Sequence, residues 1–546
     1  MPLPHFAFAL CTAAGATLLA QVSPEQFAGI KKEGLEHSQV MAHLDHLTNR
    51  IGPRLTSSDN LTVADEWARD TFQSFGIDNA HLEQWGTFPV GFNRGPWWGR
   101  MTKPEPMELV CNTEAWSAGT RRPSRGPLLQ APRDAEGLAA LEGKLAGVWI
   151  LDPPRGDLLN QLSAAMEKEG AFGFLAGGGG DLLLTGGRSN VDWDNLPKLP
   201  MVRLTKDGYT ALHEQLDAGK PVEVEFDIRN HFRKGPIPLF NVIADIPGTE
   251  HPDEFVVVGG HLDSWDGAVG ATDNGTGTAT TIEAARILMA IGAKPKRTIR
   301  FMLWSGEEQG LLGSRAWVQK HKDELDKYSA CLVHDGGTNY LSGIAGMAEM
   351  HAQLETVFAP IFDLSPDMPF EIRDIAAFTP IGSDHESFTA AGVPGFFWKQ
   401  SGRANYTHTH HTQYDTYDAA IEEYQRHSSV VIATGALGIA NLPELLTREN
   451  MKVQRGFGGG GGRRGGGGRL LGVQLEDDGI TLADVTPDGL AVKAGMKAGD
   501  RILKIGDKAI KSVEDLRAAM TAAPVKTSVT WKRGDKEMSA EITFAR

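Results

Sequence analysis

Between Pro238 and Trp398 the chain alternates short apolar runs with stretches of mixed polarity. Phe255 to Gly259 is a continuous apolar run of the kind central strands show when both faces are covered. TATTIEAARILMAIG then places Ile282, Ala285, Leu288 and Ile291 near helical spacing, and Gly292 and Pro295 act as stop signals. RTIRFMLW reads as the next strand, Ala330 to Val333 as another and PGFFW as a third. NVIADIPG opens this core, and the pattern predicts an α/β fold.

Other textures flank it. Residues from about 27 to 107 read as mixed helical and extended, with an amphipathic ADEWARDTFQSFG and a turn and strand from Ile77 to Trp85. From Cys111 to Arg233, KLAGVWIL and GAFGFLA read as short buried strands around the helix LNQLSAAMEKEG. PMVRL and TKDGYTALHEQLDAG add one more strand and helix, completing a small α/β insert. GFGGGGGRRGGGGR, Gly456 to Arg469, is a flexible linker by composition, with a typical end-to-end distance of roughly 20 Å. The tail from Leu470 to Arg546 is separately patterned. The expected boundaries are 1–20, 27–110, 111–233, 234–445, 446–469 and 470–546.

The 546 residues exceed one core and predict several domains. Lys plus Arg is 54 and Asp plus Glu is 69, so 54 − 69 leaves −15, which argues against nucleic acid or an anionic membrane as the main partner. FAFALCTAAGATLLA is an apolar run with small residues at Ala14, Ala16 and Ala20, read as a signal for export to the periplasm or outside the cell. No later run reaches the roughly 18 apolar residues that span a bilayer. After cleavage only Cys111 and Cys331 remain, which make no disulfide framework.

The chemistry lies at the predicted strand ends, where open α/β sheets place their sites. His261 sits in VVVGGHLDSW, Asp273 in GATDNGTGT, Glu307 and Glu308 in SGEEQGLLGS, Asp335 in CLVHDGG and His411 in HHTQYDT. A hydrolytic zinc site needs nitrogen and oxygen ligands, an open position for water and a base that does not coordinate. His261 and Asp335 are expected at one metal and Glu308 and His411 at the other, with Asp273 bridging. His408 and His410 compete with His411, and the spacing to Asp415 favours His411. Glu307 is then left as general base. Asp263 is positioned to accept the His261 imidazole N–H and fix its tautomer.

The motifs HLDS, TDNGTG, SGEEQGLLGS, HDGG and His-x-x-x-Asp-Thr at His411 to Thr416 resemble the di-zinc exopeptidases, a family that includes secreted aminopeptidases, glutamate carboxypeptidases and carboxypeptidase Q. The resemblance spans roughly 27–444. It implies a phosphorylase/hydrolase-like α/β/α sandwich, a protease-associated domain as the 111–233 insert, two zinc ions per chain and a peptide substrate. IGPRLTSS, the insert and the Trp-rich lead-in look most like carboxypeptidase Q. GSDHESF is another family-like segment, and its His385 is a candidate for substrate contact. The tail resembles a bacterial-protease PDZ domain, which implies capture of a C-terminal peptide by the backbone around Leu471, Gly472 and Val473.

The expected activity is hydrolysis of dipeptides or short peptides by a metal-bridged hydroxide. An aminopeptidase of the same family is the nearest alternative. A glutaminyl cyclase-like enzyme with a single zinc would need only Asp273, Glu308 and His411. A binding protein that has lost its ligands disagrees with the complete set. The sequence leaves end specificity, side-chain preference, metal identity and oligomeric state open.

Overall fold

The computed structural model describes residues 21–177, 180–454, 471, 473–475, 480–485, 490–512, 515–516, 519–520 and 523–544. The expected signal at 1–20 and the Gly/Arg tract at 456–469 lie outside them. The chain forms two compact units, Met1–Gly459 and Gly460–Arg546.

A sheet of 12 strands runs through the first unit. Its central part is ordered Gly395–Phe397, Tyr328–Val333, His251–His261, Arg297–Trp304 and Glu223–Ile246, the first four parallel and the last antiparallel. Val256, Val258, Phe301 and Leu332 pack against Ile282, Leu288 and Val430 of helices Thr276–Ala290 and Glu422–Ala440. Val257, Met302 and Val333 face the other way, onto Trp317 of helix Leu312–Lys320 and Phe388 of helix His385–Ala390. Helices therefore cover both faces, which is why Phe255–Gly259 shows no polar alternation. Each fully buried Val, Leu or Phe contributes roughly 1.5–3 kcal/mol.

The Ile77–Trp85 reading is corrected by a much longer element. Strand His81–Lys103 pairs antiparallel with Glu223–Ile246, from His81 opposite Ile243 to Lys103 opposite Glu223. Gly86, Pro89, Gly91, Gly95, Pro96 and Gly99 interrupt any alternation in the sequence, and the ribbon absorbs them through four shifts of register. Ser124–Gln130 joins the far part of Glu223–Ile246, Trp149–Leu151, Gly173–Gly177 and Met201–Leu204 follow it in parallel, and Cys111–Thr113 closes the edge antiparallel to Met201–Leu204. The insert thus grows out of the same sheet.

An N-terminal arm lies on the last helix. Ser23 caps helix Pro24–Lys31 with Gln26 in a capping box, and Val22 and Ile30 are buried. Asn441 Nδ2 donates to the Gln21 carbonyl at 2.9 Å and Arg426 to that of Leu35 at 2.9 Å. Arg286 binds both Glu283 and Glu33. At the other end, the linker expected from residue 446 starts later. Leu446 is buried, its N–H bonds Ser329, and Gln454 N–H donates to Phe378 O, because Leu446 and Val453 supply apolar and strand contacts that the sequence texture hides. No helix among the described residues is long and apolar enough to cross a membrane.

In the second unit, Arg501–Ile505, Lys508–Ala509, Lys526–Arg533 and Lys536–Thr543 form an antiparallel sheet, and Val473–Leu475 pairs with Leu482–Val485. Leu482, Ile502, Val529, Trp531 and Ile542 make its core. Buried Asp500 receives two 2.7 Å bonds from Arg533. Leu471 is buried and its carbonyl accepts from Ala491 N–H. Gly472, the middle residue of the expected carboxylate loop, lies outside the described residues.

Candidate metal centre

Five loops bring the predicted residues together. His261 ends strand His251–His261, Asp273 lies just before helix Thr276–Ala290, Glu307 and Glu308 follow strand Arg297–Trp304, and Asp335 follows Tyr328–Val333. His411 arrives from the loop after helix Tyr406–Thr409. His261 Nε2 is 3.3 Å from Asp273 Oδ1, 3.6 Å from Asp335 Oδ1 and 4.0 Å from Glu307 Oε2. His411 Nε2 is 3.0 Å from Asp273 Oδ2 and 3.0 Å from Glu308 Oε2. The two oxygens of Asp273 therefore face two different histidines. His410 stacks on His411 with centroids 3.9 Å apart, and its Nε2 lies farther from Asp273 Oδ2, at 3.7 Å.

The TDNGTG residues lace these loops. Asn274 Nδ2 donates to the His334 carbonyl and its Oδ1 accepts from Gly277 N–H. Thr278 Oγ1 donates to His261 O at 2.7 Å and Thr276 Oγ1 to Gly337 O at 3.0 Å. Gly277 is required by close approach, since a Cβ there would meet His334 O at 2.1 Å.

Burial and charge shift the acids and histidines in opposite senses. Burial, with Asp273 beside it, pushes the Glu308 carboxyl up to about 7. Burial raises Glu307 well above the carboxylate range, against the pull of His261. Burial opposes charge on His411, but Glu308 and Asp273 outweigh it and raise the imidazole to about 11. Burial likewise opposes charge on Asp273, and its bonds to His261 and His411 bring it below the usual range.

Asp263 plays a different part from the one expected of its carboxylate. Its backbone carbonyl lies 3.0 Å from His261 Nδ1, whereas its carboxylate is 3.6 Å away. The carboxylate instead accepts from the N–H groups of Glu307 and Glu308, at 3.2 and 3.3 Å, and from Thr56 Oγ1 at 2.9 Å. It shapes the Glu307–Glu308 turn. His385 is buried with its ring 5.5 Å from Phe397, and burial holds its imidazole down to about 4.

Residues given no ligand or catalytic role by the sequence also support the centre. Arg54 is fully buried and donates to the carbonyls of Leu262 at 2.7 Å, Val269 at 2.9 Å and Gly270 at 2.7 Å, with longer bonds to Gly52 and Leu47. A lone Arg in IGPRL was the available signal. Asp415 Oδ1 accepts from Thr272 N–H at 2.5 Å and Thr272 Oγ1 at 3.0 Å. Trp265 stands edge-on to both Trp116 and His411.

The donors suit a cation. His261 Nε2 and Asp273 Oδ2 are buried without a hydrogen bond of acceptable geometry, and His261, Asp273 and Asp335 offer three atoms within 4.8 Å of one another, as do Asp273, His410 and His411. Imidazole with carboxylate is the donor set of a first-row metal.

A layered α/β fold with this cluster beyond its parallel strand ends defines the class as a metal-dependent hydrolase. Residues 241–435 match the profile of peptidase family M28 and 470–544 that of the PDZ domain, so the chain carries an M28 peptidase domain followed by a PDZ domain. Carboxypeptidase Q of Mus musculus is 27% identical over 421 residues, 74% of this chain and 86% of that protein. Carboxypeptidase Q of Homo sapiens is 27% identical over 423 residues, 74% and 85%. The crystal structure of a peptidase M28 precursor from Shewanella amazonensis aligns with a TM-score of 0.57 at 25% identity, covering 78% of this chain and 98% of that one. The protein is a metallo-exopeptidase.

Proposed function

We propose that the protein is a zinc exopeptidase that hydrolyses dipeptides or short peptides in the manner of a carboxypeptidase Q. The observation that carries this reading is Asp273, which presents Oδ1 to His261 at 3.3 Å and Oδ2 to His411 at 3.0 Å. One carboxylate facing two histidines suits two ions rather than one. His261 and Asp335 would hold the first, Glu308 and His411 the second, and Asp273 both. His411 is preferred to His410 because it also reaches Glu308. Bound zinc would polarise the scissile carbonyl and acidify water.

Glu307 supplies the proton chemistry. Its carboxylate takes a proton from the attacking water and passes it to the leaving nitrogen, so the peptide bond yields a free carboxylate and a free amine. Asp263 aims Glu307 by binding its N–H. The insert at 111–233 is assigned as a protease-associated domain, the 470–546 region as a module for a C-terminal peptide, and the chain as exported.

Dipeptides, their N-blocked forms and their C-amidated forms, offered to zinc-loaded protein, test the reading. Loss of cleavage on either block is expected of a carboxypeptidase Q-like dipeptidase. Loss on N-blocking alone makes it an aminopeptidase. Cleavage of no peptide by protein carrying two zinc ions overturns the assignment, and one zinc with cyclisation of N-terminal glutamine replaces it.

A further inference from the structure

His411 differs from the other candidate ligands in how it is held. It lies away from the strand ends and has a left-handed backbone, φ 55°, which a non-glycine residue keeps only where its surroundings impose it. On the sheet side, Asp415 fixes its loop through Thr272. On the other side stands Asp181–Thr185, an irregular segment of the insert. Thr185 N–H donates to the His411 carbonyl at 2.8 Å. Gln413 adds three bonds to the same segment. Its N–H donates to Leu183 O at 3.2 Å, its Oε1 accepts from Leu183 N–H at 2.7 Å, and its Nε2 donates to Asp181 O at 2.8 Å. Leu183 is buried and anchors the segment.

We propose that the Asp181–Thr185 strap of the insert is a working part of the metal centre, with Gln413 as the positioning residue that keeps His411 within reach of both Asp273 and Glu308. The inference rests on the zinc reading above and deepens it. Metal ligands must be held within about 0.5 Å of their working positions. The His261 and Asp335 loops are secured by Thr278 and Thr276 of the buried helix, independently of the insert. Of the tethers just named, four tie the His411 loop to the strap and two tie it to Thr272. The two ions should therefore respond unequally to damage at the strap, and the insert becomes a determinant of one ion only.

Zinc retained by the full chain in buffers of fixed free zinc tests this. Gln413→Ala should weaken retention of one of the two ions by about 10- to 100-fold, the usual cost of losing a group that orients a ligand. The other ion should be unchanged. In a His411→Ala background the same substitution should change nothing further. Gln413→Glu, which keeps the acceptor for Leu183 and loses the donor to Asp181, should fall between and serves if Gln413→Ala does not fold. Two ions held as in the wild type, or both weakened equally, overturns the proposal. Wild-type protein that retains fewer than two zinc ions overturns the zinc reading itself, and this inference with it.

Discussion

Arg54 donates to the carbonyl oxygen of Gly270 at 2.7 Å, three residues before Asp273. The same guanidinium reaches the Leu262 carbonyl, next to His261. One buried cation, with main-chain oxygens and no carboxylate as its partners, thus ties together the loops that carry two candidate ligands. Arg54→Met fills similar volume but strands those carbonyls, and should cost about 3–5 kcal/mol. Arg54→Lys should recover little, because a single ammonium cannot reproduce the planar fork. Urea unfolding at neutral pH measures both. A loss under about 1 kcal/mol for Arg54→Met would deny Arg54 this role.

Glu307→Gln should separate chemistry from metal binding. Glu307 Oε2 lies 4.0 Å from His261, farther than Asp273 or Asp335. Zinc content should stay at the wild-type value while turnover falls roughly 10²- to 10⁴-fold. Loss of zinc in this variant would make Glu307 a ligand instead.

Chelation should destabilise one unit of the two. The acids clustered around His261 and His411 belong to Met1–Gly459, and Gly460–Arg546 has its own core. A ligand at 100 times its dissociation constant stabilises by about 2.7 kcal/mol. Calorimetry should show two transitions, with a chelator lowering only the one for the catalytic unit. A shift of both, or of neither, is the contrary result.

His427 should contribute to acid lability. It is buried in helix Glu422–Ala440, neither ring nitrogen has a hydrogen bond, and burial holds its imidazole down to about 4. Its unfolded value is near 6.5. The folded state therefore binds the proton less well, so the stability from neutral His427 is complete above about pH 6.5 and is lost as pH falls toward 4, by a few kcal/mol at most. His427→Leu should show a shallower decline in unfolding free energy between pH 7 and 4.5. An unchanged slope would assign the acid sensitivity to other groups.

The central strands were legible because each is apolar on both faces and ends in a polar loop residue, as Phe255–Gly259 followed by His261 shows. Part of the ligand cluster was legible for the same reason, since His261, Glu307, Glu308 and Asp335 fall at these ends, whereas Asp273 before its helix and His411 after a short helix were read from their motifs. The long ribbon from His81 was not, since Pro89 and Gly91 carry no side-chain alternation and the strand is defined by its partner Glu223–Ile246. Arg54 was hidden because its partners are main-chain carbonyls, which leave no trace in residue type. Gln413 and Asp181 are 232 positions apart, a contact that no local pattern encodes.

The arm that contains Gln21 docks on the helix that ends at Ala440, and its bond to Asn441 joins residues 420 positions apart. At roughly 5–20 residues per second, a ribosome needs about 20–80 s to travel that distance. During that interval Val22 and Ile30 have no helix to cover them. Closure of the catalytic unit must therefore wait until its final helix has been made, and the nascent chain stays open to chaperones for most of its synthesis.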